Sequence, residues 1–170
     1  LIKCELWLAQ GRTDLAEAWL ARLGQTYNGD QAAAAPEFHP HLPQHIELQQ
    51  AALDAIRGQA ENALRRLDAL ARQAEGKGQQ MIAVMALNQY VLLLLDDGQA
   101  ASARPVFARA LQVASGGALQ PFQRLLERYP DWMREQLGQA PNDLLRQSLW
   151  ALLPVVAPRE PIEITHTGET

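Results

Sequence analysis

The densest group of chemically versatile side chains lies in the segment PEFHPHLPQH, which contains Glu37, His39, His41 and His45. Imidazole nitrogens and carboxylate oxygens are ligands that zinc commonly uses in proteins. The spacing His-x-His-x3-His includes two prolines, and because proline interrupts helices, no helical face holds all three histidines. The preferred interpretation is an ordered loop with solvated histidines, and a zinc site is the alternative. We expect no metal ligands in this chain.

The residues that could act as nucleophiles or acid–base catalysts are not surrounded by any known catalytic motif. Cys4 belongs to an apolar helical segment and is expected to be a small buried residue. The serines have no GxSxG context, and the neighbouring carboxylates Asp96 and Asp97 precede a glycine, where acidic residues are usually solvated. The sequence therefore predicts no catalytic residues and no enzymatic activity.

The overall composition indicates which elements must position any functional side chains. Of the 170 residues, 48% are hydrophobic, 20% are charged and 6% are aromatic. Alanine and leucine together fill about a third of the positions, which favours helices over sheets. At this length a single folded unit can bury most of its apolar surface, so we expect one all-α domain.

Charge and cysteine usage exclude several classes of partner. The net charge of −4 and the pI near 5.5 leave no basic excess for direct DNA binding. The single cysteine and the absence of a visible signal peptide fit a cytoplasmic protein. The most apolar stretch, 81–95, is too short to span a bilayer, so no membrane contact is expected.

An internal repeat is centred on Gly11, Gly58 and Gly98. Five residues after each glycine comes an alanine, and nine residues after it comes a large apolar residue: Ala16, Ala63 and Ala103, then Leu20, Leu67 and Phe107. We interpret each unit as a helix, a tight turn through a left-handed glycine and a second antiparallel helix. One hairpin cannot cover its own apolar face, so neighbouring hairpins are expected to stack.

The repeat sets the expected helix boundaries. Helices are predicted at 1–10 and 13–27, at 43–57 and 60–75, and at 79–96 and 99–115. Breaks between hairpins are expected in the long connection 28–42, at Gly76-Lys77-Gly78 and at Gly116-Gly117. Shorter helices at 119–129, 130–140 and 141–153 are expected to form a C-terminal cap. The domain then covers 1–153, and the proline-rich segment 154–170 is expected to be an exit linker.

The order of these parts resembles the helical-repeat region of large LuxR-type, MalT-like, ATP-dependent transcriptional regulators. The resemblance is carried by the hairpins of 58–115, the following PFQRLLERY and the proline-rich exit. It implies a tetratricopeptide-like superhelix that senses an effector, in a fragment of a longer chain. ATP would bind only in an absent N-terminal module, and DNA only through an absent C-terminal helix-turn-helix, because neither motif occurs here.

The resemblance also implies the partners. A small-molecule inducer or a protein partner would bind in the helical groove and favour self-association of the full protein, so a homo-oligomer is expected. The alternative is a generic tetratricopeptide-type scaffold that recognises a peptide.

In a solenoid of this type the first helix of each hairpin lines the concave groove. Positions about six and ten residues before the turn glycines place Glu5, Asn88 and Leu92 there, together with Leu48 and Ala52, and His45 lies one turn from Leu48. We therefore predict Glu5, His45, Asn88 and Leu92 as groove contacts. Asn88 is the most informative, because an amide buried in so apolar a helix needs a hydrogen-bond partner. That partner is either a neighbouring helix or a bound ligand or peptide.

Overall fold

The fold is all-helical throughout the part of the chain that the computed structural model describes, residues 2–26, 41–114, 119–138 and 143–154. The helices are α1 Ile2–Ala9, α2 Thr13–Thr26, α3 Leu42–Ile56, α4 Ala60–Gly76, α5 Gln80–Asp96, α6 Ala100–Val113, a 3-10 turn Gln120–Phe122, α7 Gln123–Arg128, α8 Pro130–Leu137 and α9 Leu144–Leu152. The all-α prediction is confirmed. The predicted superhelical path stays a prediction, and most of the 28–42 connection, Gly116-Gly117 and nearly all of the 154–170 linker lie outside the described residues.

Four of the turns between successive helices have the same backbone conformation at their glycine. Gly11, Gly58, Gly78 and Gly98 have φ angles of 70°, 76°, 69° and 72°, a left-handed conformation that glycine adopts without steric cost. After each glycine, the next amide donates to the carbonyl five residues earlier, as in Arg12 to Trp7 over 2.8 Å. Each turn therefore satisfies carbonyls at the end of one helix and starts the next helix within a few residues.

The turn at Gly78 corrects the predicted division into hairpins. The segment Gly76-Lys77-Gly78 was expected to separate two hairpins, but Gly76 is the last residue of α4, and Gly78 forms the same turn as Gly58 and Gly98. From α3 to α6 the turn recurs at an interval of 20 residues, and each helix packs mainly on the next one in sequence. These four helices therefore form one uninterrupted array.

The alanines five residues after the turn glycines are buried in the helix packing. Ala16, Ala63 and Ala103 are completely buried, and so is Ala83, which follows Gly78. The residues at the ninth position fill the space beside them and are also buried: Leu20, Leu67, Leu87 and Phe107. Small and large side chains thus alternate along the helix interfaces, which is how close packing is achieved without voids.

The buried side chains form two hydrophobic cores that share α3. The first core contains Cys4, Leu8, Ala16, Leu20 and Leu53, from α1, α2 and α3. The second core extends from α3 to α9 and includes Leu48, Ala51, Leu67, Leu87, Phe107, Phe122 and Leu149. Helix α3 therefore joins two separately packed groups of helices.

The C-terminal cap differs from the prediction in three places, the first being the predicted helix 119–129, which is divided into the 3-10 turn Gln120–Phe122 and α7. Helix α8 ends at Leu137 rather than at 140, because Gly138 leaves the helix with a φ of 75°. Helix α9 begins at Leu144 rather than at 141, because the Asp143 side chain accepts the Arg146 amide over 2.8 Å as an N-cap. Pro130 begins α8 as expected. The cap covers the second core through an edge-to-face contact between Trp132 and Phe107, with ring centroids 5.2 Å apart.

No helix within the described ranges combines the length and apolarity needed to cross a membrane.

Candidate functional site

A pocket of about 380 Å³ opens where α1, α3, α5 and the cap converge. Its walls are Glu5 of α1, Leu48 and Gln49 of α3, Met85, Asn88, Gln89 and Leu92 of α5, and Gln120, Pro121, Gln123, Arg124 and Glu127 of the 3-10 turn and α7. The lining combines apolar side chains with amides and with both signs of charge. Eight of the twelve lining residues are polar or charged, so a molecule that complements this pocket must itself be polar.

Asn88 is the buried polar group of this pocket. Its side chain is 2% exposed and occupies the buried face of α5 together with Val84, Val91 and Leu92. Neither Nδ2 nor Oδ1 has a hydrogen-bond partner in the part of the chain that the structure describes. The bond to a neighbouring helix, which was one of the two alternatives for Asn88, is therefore not found there.

The neighbouring amide of Gln89 behaves differently. Its Nε2 donates to the main-chain carbonyl of Leu48 over 3.1 Å, which fastens α5 to α3 at the pocket wall. A buried amide without such a partner destabilises a protein by about 1–3 kcal/mol. Two adjacent amides thus differ: Gln89 stabilises the helix pair, whereas Asn88 beside the pocket buries a donor and an acceptor that have no partner among the described residues.

The rim of the pocket is charged. Glu5 accepts a hydrogen bond from Gln49 through Oε1 over 3.1 Å, and Glu127 accepts one from Gln123 over 2.8 Å. Arg124 is exposed and forms no ion pair with any described residue. The rim therefore offers one guanidinium and two carboxylates that retain free hydrogen-bonding capacity.

The structure brings together three of the four predicted groove residues. Glu5, Asn88 and Leu92 line the pocket, and Leu48, named with them, also contributes. His45 does not line it, although it lies one turn from Gln49 on α3, and its half-buried side chain has other partners. Ala52 packs instead against the first core. Whether the lining residues bind a ligand stays a prediction.

Sequence reasoning missed the wall contributed by the cap. Residues 119–129 were assigned only to packing, and Phe122 and Leu125 are indeed completely buried. The polar residues between them, above all Arg124, face the pocket because the 3-10 turn packs against α5. The available signal was the amphipathic period, which places Arg124 on the face opposite the buried side chains.

The other candidate groups do not form a comparable site. Cys4 is fully buried in the first core, and this burial raises the pKa of its thiol above the ordinary value near 9.0. Asp96 is engaged by Arg128 over 2.7 Å and by the hydroxyl of Tyr129. Glu37 and His39 lie outside the described residues, and among those described no group of three His, Cys, Asp or Glu side chains is arranged to hold a metal ion.

No protein-family model matches the chain, and neither the curated proteins nor the solved structures include one that matches it.

Proposed function

We propose that this chain is a non-catalytic sensing domain that binds a small effector molecule in the pocket between α1, α3, α5 and the cap. In accordance with the resemblance to LuxR-type regulators, the bound state would control self-association and DNA binding of a longer cytoplasmic protein. The observation that carries the proposal is Asn88, because a buried and unpartnered amide in a pocket wall is retained at a cost in stability. Residues kept against stability are expected at functional sites.

The dimensions of the pocket favour a small ligand. Its volume of about 380 Å³ lies at the lower end of the roughly 300–1,000 Å³ typical of small-molecule sites. An extended peptide would need a longer continuous groove. Peptide recognition is therefore the outcome that a binding experiment must separate from effector sensing.

The position of the pocket suggests how binding is transmitted. Glu5 lies on α1, and two other residues of this helix, Cys4 and Leu8, belong to the first core. Asn88 and Leu92 lie on α5, which packs in the second core. A ligand that contacts Glu5 and Asn88 together bridges the two cores next to α3, the helix that they share.

A ligand that bridges the two cores changes the equilibrium between alternative arrangements of the two helix groups. It can shift the relative arrangement of the two helix groups only by the difference between its affinities for the alternative arrangements. Near the pocket, α1 and α3 are linked by an exposed hydrogen bond of 3.1 Å from Gln49 to Glu5. This bond can be exchanged for a contact with a ligand, because an exposed hydrogen bond contributes little net stability.

The test is a thermal-shift screen of the wild-type chain against a library of small metabolites and, separately, a library of random-sequence peptides. Asn88→Leu is the diagnostic variant, since leucine is nearly isosteric and removes the unsatisfied amide. We expect the free variant to be more stable than wild type by about 1 kcal/mol and to lose the ligand-induced shift. Asn62→Leu, on an exposed position of α4, is the matched control and should preserve that shift.

The possible results separate the alternatives. A shift with a small molecule that disappears in Asn88→Leu supports the sensor. Shifts obtained only with peptides support the scaffold and contradict the sensor. If Asn88→Leu destabilises the free protein by more than 1 kcal/mol, the amide has a structural role and the proposal loses its basis.

A further inference from the structure

On the premise of the proposed effector pocket, we infer that its ligand carries a primary ammonium group on an aliphatic stem, and that this group binds where α1, α3 and α5 meet. We name this part of the lining the α1–α3–α5 wall; its polar members are Glu5, Gln49 and Gln89. Two properties of the wall lead to this class of ligand: an excess of hydrogen-bond acceptors, and apolar side chains beside them.

The two glutamines of the wall already use donors within the protein. Nε2 of Gln49 donates to Oε1 of Glu5, and Nε2 of Gln89 donates to the main-chain carbonyl of Leu48, each over 3.1 Å. A carboxylate accepts about four hydrogen bonds and an amide oxygen two, whereas an amide nitrogen donates two, so about seven acceptor positions and two donors remain on the three side chains. A complementary ligand group must therefore be rich in donors.

The acceptors of the wall lie close enough together to be satisfied by one compact group. Gln49 is bonded directly to Glu5, and Gln89 is bonded to Leu48, the residue before Gln49. The three polar side chains come from three different helices, which suits the three rotatable donors of an ammonium better than the planar fork of a guanidinium. Binding at this wall needs no contact with the cap side of the pocket.

The charges of the lining agree with a cation at this wall. Glu5 is the charged side chain there, and of the described residues on α1, α3 and α5 that line the pocket none is positive. On the cap side, Arg124 and Glu127 carry opposite charges and offset each other at a distance. An anion would be repelled by Glu5 and would find few donors, whereas an ammonium forms a charge-assisted hydrogen bond with it.

An apolar surface adjoins these acceptors. Leu48, Met85 and Leu92 line the pocket from α3 and α5, and Leu48 and Leu92 are themselves buried. An aliphatic stem of a few carbons gains by leaving water along such a surface, while its charged end stays at the exposed carboxylate of Glu5. The wall thus accommodates both parts of an alkylammonium ion.

The location of the ammonium connects this ligand class to the proposed sensing role. Glu5 belongs to α1, which packs in the first core, and Gln89 belongs to α5, which packs in the second. An ammonium that contacts both side chains joins the two cores directly. It can also replace the exposed bond from Gln49 to Glu5, which contributes little net stability.

The experiment is an NMR titration of the ¹⁵N-labelled wild-type chain with pentylamine, observed at the side-chain amide signals of Gln49 and Gln89. We expect both signals to shift, with half-saturation at about 1–10 mM for a probe of this size. Three comparators each change one property of the ammonium: pentyltrimethylammonium keeps the charge without N–H donors, 1-pentanol removes the charge, and pentanoate reverses it. Each should bind at least about threefold more weakly.

Variants assign the ammonium to the wall. Glu5→Gln should weaken pentylamine about three- to tenfold, the effect of losing one exposed charged contact. Glu61→Gln, at an exposed position in the first turn of α4 outside the lining, is the matched control and should leave the affinity unchanged. Arg124→Gln should not weaken binding, because it removes a positive charge from the pocket.

Glu127→Gln tests the same charge change on the cap side of the pocket. It should alter the affinity for pentylamine less than Glu5→Gln does. If Glu127→Gln is the more damaging of the two, or if Arg124→Gln weakens binding, the ammonium is not held at the α1–α3–α5 wall and the inference is overturned. It is also overturned if pentylamine does not bind or if 1-pentanol or pentanoate binds equally well.

The failure of this inference can be distinguished from the failure of the proposed function. If pentylamine does not bind but another small molecule stabilises wild type and not Asn88→Leu, the sensing pocket stands and only the ligand class is wrong. If no small molecule stabilises the wild-type chain and pentylamine does not bind, both proposals fall together.

Discussion

The main-chain amide of Gln79 donates to the carbonyl of Ala74 over 2.8 Å, across the left-handed residue Gly78. The same bond, with the same separation of five residues, joins Gln59 to Asp54 over 2.8 Å and Gln99 to Leu94 over 2.7 Å. Three helix ends are therefore closed by one turn geometry, and the array of α3 to α6 is built from a unit of one helix and one turn. The turn glycines are the positions on which this arrangement depends.

Gly78→Ala is expected to destabilise the folded chain by about 1–2 kcal/mol, because an alanine β-carbon disfavours the left-handed conformation. Space is not the cause, since a β-carbon built on Gly78 meets no atom within 4 Å. Chemical denaturation measures the change as a lower midpoint with an unchanged slope.

Gly76→Ala is the matched control for this prediction. Gly76 lies two residues away, belongs to α4, has no positive φ and is equally free of neighbours. Alanine is expected there to be neutral or to stabilise by up to about 1 kcal/mol. If the two substitutions have the same effect, the strain at Gly78 is not the determinant of the turn.

The Gly78 turn also shows where sequence reasoning succeeds and where it stops. Gly11, Gly58 and Gly98 are each preceded, five residues earlier, by a leucine, whereas this position before Gly78 is Gln73. The features that the backbone requires were present, since the left-handed glycine is followed by Ala83 at the fifth position and Leu87 at the ninth. The turn does not require a buried leucine at this position, because Leu6, which lies five residues before Gly11, is exposed.

Asp54 is a buried carboxylate whose removal should be costly. It is 6% exposed and accepts hydrogen bonds from Arg66 Nε over 2.8 Å and from Gln50 Nε2 over 3.1 Å. Asp54→Ala is expected to destabilise the chain by about 1.5–3 kcal/mol, the range for hydrogen bonds to charged groups. Glu47→Ala removes the exposed partner of the same arginine and should cost less than about 1 kcal/mol. Equal effects in urea denaturation would contradict the assigned role of Asp54.

Glu17 is expected to make folding depend on pH through its contact with Arg57. The guanidinium donates to both carboxylate oxygens, over 2.8 and 2.6 Å, and these hydrogen bonds lower the pKa of Glu17 below the ordinary 4.5. A lowered folded-state pKa stabilises the chain above the unfolded pKa, and this stabilisation is lost as the pH falls through the folded pKa. An NMR titration should show the Glu17 pKa returning towards 4.5 in Arg57→Gln. If the pKa of Glu17 is unchanged in Arg57→Gln, the two hydrogen bonds between Arg57 and Glu17 are not formed in solution.

The candidate site was predictable only on the side formed by the repeat helices. Asn88 and Leu92 stand out because their distance from Gly98 fixes their place on α5, and Glu5 follows in the same way from Gly11. Arg124 does not follow from any repeat position, since its segment is placed by packing contacts such as that of Phe122 with Phe107 of α6, with ring centroids 6.1 Å apart. Packing between segments distant in sequence is the information that local periodicity lacks.

The rate at which a reagent modifies the Cys4 thiol measures whether the first core opens independently of the second. Its side chain is 0% exposed and burial raises its pKa, so a thiol reagent should modify the native chain far more slowly than the unfolded chain. Gly11→Ala strains the turn between α1 and α2 and should accelerate labelling about 5- to 30-fold, the equivalent of 1–2 kcal/mol. Gly98→Ala strains an equivalent turn in the second core and should leave the rate nearly unchanged if opening is local. Equal acceleration by both substitutions would show that the two cores unfold as one unit, in which case a ligand at Glu5 and Asn88 has no separate movement to control.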